Sequence, residues 1–183
     1  MLERALVAIR SAHPRMTLRT RAVVEAVVLS RGSIGSAEGV SRALGLSNRF
    51  SLARLLAREG LPPLHRLTEW ITVLNWIDSA EREHVSLCWM AFRSRRHPSA
   101  CYRLVKKVTG RMWEDVLTRG SEWALRCFLD ELKRWARRAH AQSVLAARPS
   151  APTVRVRWIL SREAGTDSRA RGLRRPSVPR RVV

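Results

Sequence analysis

The fold of this chain is decided by residues 36–60, which read SAEGVSRALGLSNRFSLARLLAREG. Ser36 is a typical N-terminal cap of a helix, because its hydroxyl can accept a hydrogen bond from a free backbone amide. Gly45 can take the positive φ that a tight turn requires, and Ser47 is placed to cap the helix that follows. Gly60 is a typical residue at a helix end. The segment therefore predicts a helix, a tight turn and a second helix.

A second segment of the same design lies at residues 85–110 and reads VSLCWMAFRSRRHPSACYRLVKKVTG. It also ends on a glycine after a basic, apolar-striped helix, and Gly110 lies fifty positions after Gly60. Its turn has Ser94-Arg95 in place of a glycine. The sequence therefore predicts two helix-turn-helix segments on one chain.

The chain carries a large positive charge, with 35 Lys and Arg against 15 Asp and Glu in 183 residues and a formal net charge of +20. Residues 1–140 hold 25 basic and 13 acidic side chains, and residues 141–183 hold 10 and 2, so the charge is not confined to one end. Nearly all the basic residues are arginines, and genomic base composition can account for part of the excess. A chain this basic attracts polyanions. Nucleic acid is the first candidate partner, ahead of an anionic membrane surface or an acidic protein.

Cysteine usage and apolar patterning favour a soluble cytoplasmic protein. Cys88, Cys101 and Cys127 form no C-x-x-C pair, and their odd number suits a reducing compartment. No apolar run approaches the roughly 18–20 residues of a membrane span, and arginines interrupt the region where a secretory signal would lie. The sequence shows no metal-ligand spacing, no phosphate-binding glycine loop and no catalytic triad. It therefore predicts no metal, no cofactor and no enzymatic activity.

The remaining helices are predicted from hydrophobic spacing. Residues 1–30 read as two helices separated at His13-Pro14. Residues 64–77 carry apolar side chains at i, i+3, i+4 and i+7, which predicts one buried face on a helix that joins the two segments. A last amphipathic helix is predicted over about 122–138.

The predicted fold class is all-α. It comprises two helix-turn-helix modules joined by a linker helix, an extra N-terminal helix, a C-terminal helix and a disordered basic tail rich in Arg, Pro, Ser and Ala. The predicted regions are an N-terminal helical extension at 1–35, a tandem helix-turn-helix domain at 36–140 and the tail at 141–183.

The second helix of each segment is predicted to face DNA, because in a DNA-binding helix-turn-helix this helix lies in the major groove and its other face packs inward. The apolar residues expected to face inward are Leu52, Leu55, Leu56, Tyr102, Val105 and Val108. The candidate DNA-binding residues are Asn48, Arg49, Ser51, Arg54, Arg58, Arg93, Arg95, Arg96, Ser99, Arg103, Lys106 and Lys107.

With these residues in place, the chain resembles the DNA-binding domain of AraC/XylS-type transcription regulators. The Gly-Leu-Ser at 45–47 matches the family's turn, Gly60 follows at the family's spacing, and YRLVKKVTG at 102–110 is similar to the ending of the family's second recognition helix. The resemblance covers about residues 36–120. It implies two helices in successive major-groove segments on one face of the DNA, about 34 Å apart.

The chain also departs from the family pattern. Arg54 lies one place beyond the family's usual arginine, the second turn lacks its glycine, and Trp113 stands where the family tends to have proline. Only about 35 residues precede the first segment, too few for the sensory domain that the family usually carries. Regulation by a small molecule is therefore expected to involve another protein or another site.

Together these features predict a sequence-specific double-stranded DNA-binding protein, a bacterial transcription regulator in the cytoplasm and associated with the nucleoid. RNA polymerase and a separate sensory protein are the further candidate partners. Two reading helices on one chain make a monomer or a weak oligomer sufficient. The alternative is a basic helical interaction module that binds RNA or an acidic protein through the same face.

Overall fold

The structure, a computed structural model, describes residues 1–147, and every regular element within them is an α-helix. The predicted all-α class is therefore confirmed for this part of the chain. The helices are α1 (Leu2–Ala12), α2 (Leu18–Leu29), α3 (Ala37–Ala43), α4 (Arg49–Arg58), α5 (Leu64–Glu83), α6 (Leu87–Arg93), α7 (Pro98–Thr109) and α8 (Trp113–Ala147).

The helix predicted over 122–138 lies within α8, where it follows a break at Gly120 and continues beyond residue 138. α8 begins at Trp113 and is interrupted at Gly120, whose φ of 76° and ψ of 175° are not helical. The part before Gly120 was missed because only Trp113 and Val116 are buried in it, and two apolar positions are too few to show a helical period. Glu114 and Asp115 in its first turn suit a helix N-terminus, where the helix dipole favours negative charge.

The predicted tail begins too early. Residues 141–147 are the final part of α8, because Ala, Gln and Leu are good helix formers. The rest of the predicted tail, residues 148–183, lies outside the described residues.

α5 is the central helix and packs against α1, α2, α6, α7 and α8. Every apolar residue predicted for its inner face is buried, namely Leu64, Leu67, Trp70, Ile71, Leu74 and Ile77. Val73, Trp76 and Ala80 are buried as well. Neighbouring helices therefore bury more of α5 than the single apolar face that its spacing predicted.

The first two helices share this core. α1 packs against α2, α5 and α8 and buries Ala5 and Ile9, while α2 buries Val23 and Val27 against its neighbours. Residues 1–35, which were predicted as an extension, belong to the same compact unit as the rest of the described chain.

Two glycines allow connecting segments to lie close to the long helices. Gly60 follows α4 with a φ of 72°, and a Cβ there would lie 2.9 Å from the Cα of Ala136 in α8. Gly32 has a φ of 84°, and a Cβ there would lie 2.2 Å from Oγ1 of Thr72 in α5. A side chain at either position would collide with its neighbour, so these contacts depend on glycine.

Two pairs of short helices have matching backbone geometry fifty positions apart. In the first pair (α3 and α4) Ser36 Oγ accepts a hydrogen bond from the amide three residues later at 3.1 Å, and in the second pair (α6 and α7) Ser86 does the same at 3.2 Å. The cap predicted for Ser36 is confirmed. After α3 and α6, respectively, Gly45 and Arg95 take positive φ values of 65° and 54°. The conformation predicted for Gly45 is confirmed, and the second turn adopts it without glycine.

Candidate nucleic-acid interface

The start of α4 is fixed by side chains of its own pair. Asn48 Oδ1 accepts hydrogen bonds from the amides of Phe50 and Ser51, each at 3.0 Å. The amide of Arg49 donates to Glu38 Oε2 in α3 at 3.3 Å. The cap predicted for Ser47 is therefore wrong, because the Asn48 side chain takes these amides. With the first-turn amides satisfied and a carboxylate beside them, this helix end is not an open anion site.

The candidate residues of the first pair divide into two groups. Asn48 and Ser51 are half-buried, and Ser51 Oγ lies 2.9 Å from Ser47 Oγ, so these polar groups are used to build the cap. Arg49, Arg54 and Arg58 are exposed and have no carboxylate partner within residues 1–147. The arginines are therefore the members of this set that remain available to a ligand.

The exposed face of α4 carries an aromatic residue that sequence reasoning missed. Leu52 and Leu56 are fully buried, and because an α-helix turns about 100° per residue, Phe50 and Arg54 lie on the opposite side. Phe50 is 62% exposed, and the Arg49 guanidinium lies over its ring at 5.0 Å from the centroid. The helical spacing could have indicated its exposure, since Phe50 cannot share a face with Leu52 and Leu56.

α7 shows a similar division. Cys101, Val105 and Val108 form its buried face, and Tyr102, predicted to pack inward, is half-buried and packs against the core. Cys101, which the prediction did not include, lies on the buried face because it is four residues before Val105. In α4 the predicted inner residue Leu55 is only half-buried. Burial raises the pKa of the Cys101 thiol, and the charge of Arg96 opposes this only in part.

The outer face of α7 carries the predicted polar residues, and all four are exposed: Ser99, Arg103, Lys106 and Lys107. Two of them already have partners. Ser99 Oγ lies 2.8 Å from Nδ1 of His97, the N-cap of α7, and Lys107 forms an ion pair with Glu69 of α5. Arg103 and Lys106 have no carboxylate partner within the described residues.

The C-terminal end of α7 is held by a buried charge network that the sequence did not predict. Arg66 donates to both carboxylate oxygens of Glu131 at 2.7 Å and to the carbonyl of Val108 at 3.3 Å, and Trp70 Nε1 donates to Glu131 Oε2 at 2.8 Å. Burial alone would raise the pKa of Glu131, but hydrogen bonds from Arg66 and Trp70 outweigh it and the pKa is lowered. The network joins α5, α7 and α8. Its residues lie far apart in the sequence, so no local pattern predicts the network.

Three predicted arginines lie in or beside the second turn. Arg93 ends α6, and its guanidinium lies 5.1 Å from the ring of Trp89. Arg96 lies 5.8 Å from the ring of Trp76, and Arg95 occupies the positive-φ position. All three are exposed, with no carboxylate partner within the described part of the chain.

Arg58 lies where α4 meets the last turns of α8. It lines a cavity of about 400 Å³ together with Met16 and His140. His13 lines the same cavity, and within residues 1–147 its buried Nε2 has no hydrogen-bond partner. Burial lowers the pKa of His13. Arg58 is therefore at the edge of a crevice, apart from the Arg49 end of α4.

No family model, curated protein or solved structure matches this chain. Within residues 1–147 no helix is both long and apolar enough to cross a bilayer. In the same residues no three His, Cys, Asp or Glu side chains are grouped so as to hold a metal ion.

Proposed function

We propose that this chain is a sequence-specific double-stranded DNA-binding protein, a bacterial transcription regulator of the AraC/XylS-like type. Under this proposal α3–α4 and α6–α7 are two helix-turn-helix modules, α5 is the helix that joins them, and α4 and α7 are the reading helices. The protein would act in the cytoplasm, in contact with the nucleoid.

The observation that carries the proposal is the correspondence between the two helix pairs. The capping serines, the positive-φ turn residues and the glycines that follow the second helices all recur at an interval of fifty residues. In each pair the second helix carries exposed cations that have no carboxylate partner within residues 1–147, as contact with DNA in a major groove requires. α5 has 20 residues and is about 30 Å long, comparable to one turn of B-DNA.

The candidate contacts fall into two kinds. Arg93, Arg95 and Arg96 surround a turn and suit phosphate oxygens, which position a protein without reading sequence. Arg49 and Arg103 lie in the first half of each reading helix, where side chains reach base edges. Asn48 and Ser99 are proposed to act mainly by holding the helix starts in place.

A second candidate function is an interaction module for RNA or an acidic protein. Trp89 and Phe92 of α6 favour it, because they are 45% and 68% exposed and lie beside Arg93. Exposed aromatic rings with neighbouring arginines are suited to stacking on unpaired bases.

Selection of bound duplexes from a random library tests the proposal. The full chain is incubated with the library at about 0.15 M salt, where weak surface attraction is partly screened. The expected result is enrichment of a bipartite site whose halves lie about one helical turn apart. Failure to enrich any duplex, together with tighter binding of single-stranded RNA in a parallel gel shift, would favour the interaction module.

A further inference from the structure

Phe50 is exposed in the first turn of α4, and the N-terminal residues of a DNA-reading helix are the ones that contact base edges. It lies beside Arg54 on the side of the helix away from Leu52 and Leu56. Single exposed apolar residues are common on protein surfaces, so its 62% exposure alone indicates little. Its surroundings are more informative, because Arg49 and Arg54 flank it and no other aromatic residue lies on this helix.

The first turn of α4 is also unsuited to phosphate. Its amides are bonded to Asn48 and Glu38, and the Glu38 carboxylate would repel an anion placed there. What this turn offers to DNA is therefore an aromatic ring and a guanidinium. In the major groove the C5 methyl of thymine is the apolar group of a base edge, and guanine presents O6 and N7 to arginine.

We infer that Phe50 and Arg49 together read a thymine next to a guanine in the first half-site. The inference rests on the proposed DNA-binding function and names the bases that this helix recognises. The Phe50 ring contacts the thymine methyl, and the Arg49 guanidinium donates to O6 and N7 of the guanine. The guanidinium lies 5.0 Å from the ring centroid, and successive bases on a strand are about 3.4 Å apart, so the two groups reach neighbouring base pairs.

The contact between the Arg49 guanidinium and the Phe50 ring also favours DNA over an apolar protein as the partner of this face of α4. A protein surface that covers the Phe50 ring would have to remove water from Arg49 and Arg54, which costs free energy unless acidic groups meet them. The DNA groove supplies a methyl group for the ring and electronegative base edges for the guanidinium. Contact between the ring and Arg49 also limits the orientations of the arginine before binding.

The test removes the methyl group and nothing else. In the selected duplex each thymine of the half-site is replaced singly by deoxyuridine, and affinities of the full chain are measured by fluorescence anisotropy. We expect one position, next to a guanine, at which deoxyuridine weakens wild-type binding about fourfold, the value for one buried methyl-sized group. Replacing that guanine by 7-deazaguanine should weaken wild-type binding and have little effect on Arg49→Ala.

Phe50→Ala is the matching protein variant, with Leu29→Ala as its control because Leu29 is 78% exposed and lies on α2, away from the proposed contacts. We expect Phe50→Ala to bind the thymine duplex more weakly and to lose its sensitivity to deoxyuridine at that position. Leu29→Ala should keep the wild-type sensitivity. Undiminished sensitivity in Phe50→Ala, or a wild type that is insensitive at every thymine, overturns this inference alone. Absence of duplex binding by the wild type overturns the proposed function with it.

Discussion

Individual arginines of this protein differ in what holds their guanidinium groups. Arg66 is fixed by Glu131, whose carboxylate takes two of its N–H groups, and this arginine is only partly exposed. Arg49 rests on the ring of Phe50, and Arg103 has no carboxylate partner within residues 1–147. The first arginine is structural, while the other two are exposed and able to form new bonds.

We predict that Arg49→Ala and Arg103→Ala each lose discrimination at one position of the selected site. A bidentate arginine–guanine contact is worth about 1–3 kcal/mol of discrimination, so affinities for the site and for single-base variants should converge. Binding of the selected duplex and its variants by anisotropy measures this. Arg82→Ala is the control, since Arg82 is exposed on α5 and pairs with Asp78. Wild-type preference in both variants would contradict the assignment of the reading helices.

At the scale of helices, starts and ends are set by short-range hydrogen bonds. In α3 and α6 a first-turn amide donates a hydrogen bond to a serine side chain. In α4 the acceptor is the side chain of Asn48, and in α7 it is the side chain of His97. The cap of α4 is the one on which the proposed interface depends, because it sets the direction of Arg49 and Phe50.

We predict that Asn48→Ala lowers the free energy of unfolding by about 1 kcal/mol, because the Phe50 amide loses its acceptor and the Ser51 amide keeps only the backbone carbonyl of residue 48. Ser47→Ala should change it by only a few tenths, since the Ser47 hydroxyl bonds another side chain and no helix amide. Urea unfolding of the two variants makes the comparison. An equal effect of both substitutions would show that the Asn48 side chain is not the cap that stabilises the start of α4.

Helices could be predicted from the sequence where the signal is local. The spacing of Leu64, Leu67 and Trp70 predicts α5, and the Ser36 cap and the Gly45 turn depend on residues within one or two helical turns. The start of α8 could not be predicted, because Trp113 and Val116 become buried only through contacts with other helices. Phe50 differs from these two residues, because its spacing from Leu52 and Leu56 already places it on the face it shares with Arg54, although the prediction did not include it.

For the molecule as a whole, stability depends on contacts between residues distant in the chain. Arg66 and Trp70 bond to Glu131 across 65 and 61 positions of the chain and so join α5 to α8. Neither composition nor periodicity pairs such residues, because a charged side chain in a helix pattern reads as exposed. The sequence therefore predicted which helices form better than how they are joined.

We predict that Glu131→Gln lowers the free energy of unfolding at pH 7 by about 2 kcal/mol, because Arg66 loses its charged partner in a buried site. Asp130→Asn is the control, since the exposed Asp130 contacts only Lys133 and should contribute little. Urea unfolding at pH 7 distinguishes the two.

The difference in unfolding free energy between wild type and Glu131→Gln should also depend on pH in a defined direction. The pKa of Glu131 is lowered in the folded state, so its contribution is present above the ordinary glutamate pKa of 4.5 and is lost as pH falls through the folded value. The difference between wild type and Glu131→Gln should therefore be constant near neutral pH and shrink below about 4.5. A difference that persists unchanged in acid would assign the effect to packing.

The burial of α5 on several sides makes it a stiff spacer, since it bends only if the helices packed on it also move. A DNA-binding protein with such a spacer would hold its two reading helices at one fixed separation. A duplex whose twist does not match that separation would itself have to curve or unwind. Easily deformed base steps between the half-sites would lower the free energy that this deformation requires. Base pairs that no side chain touches would then contribute to the choice of target.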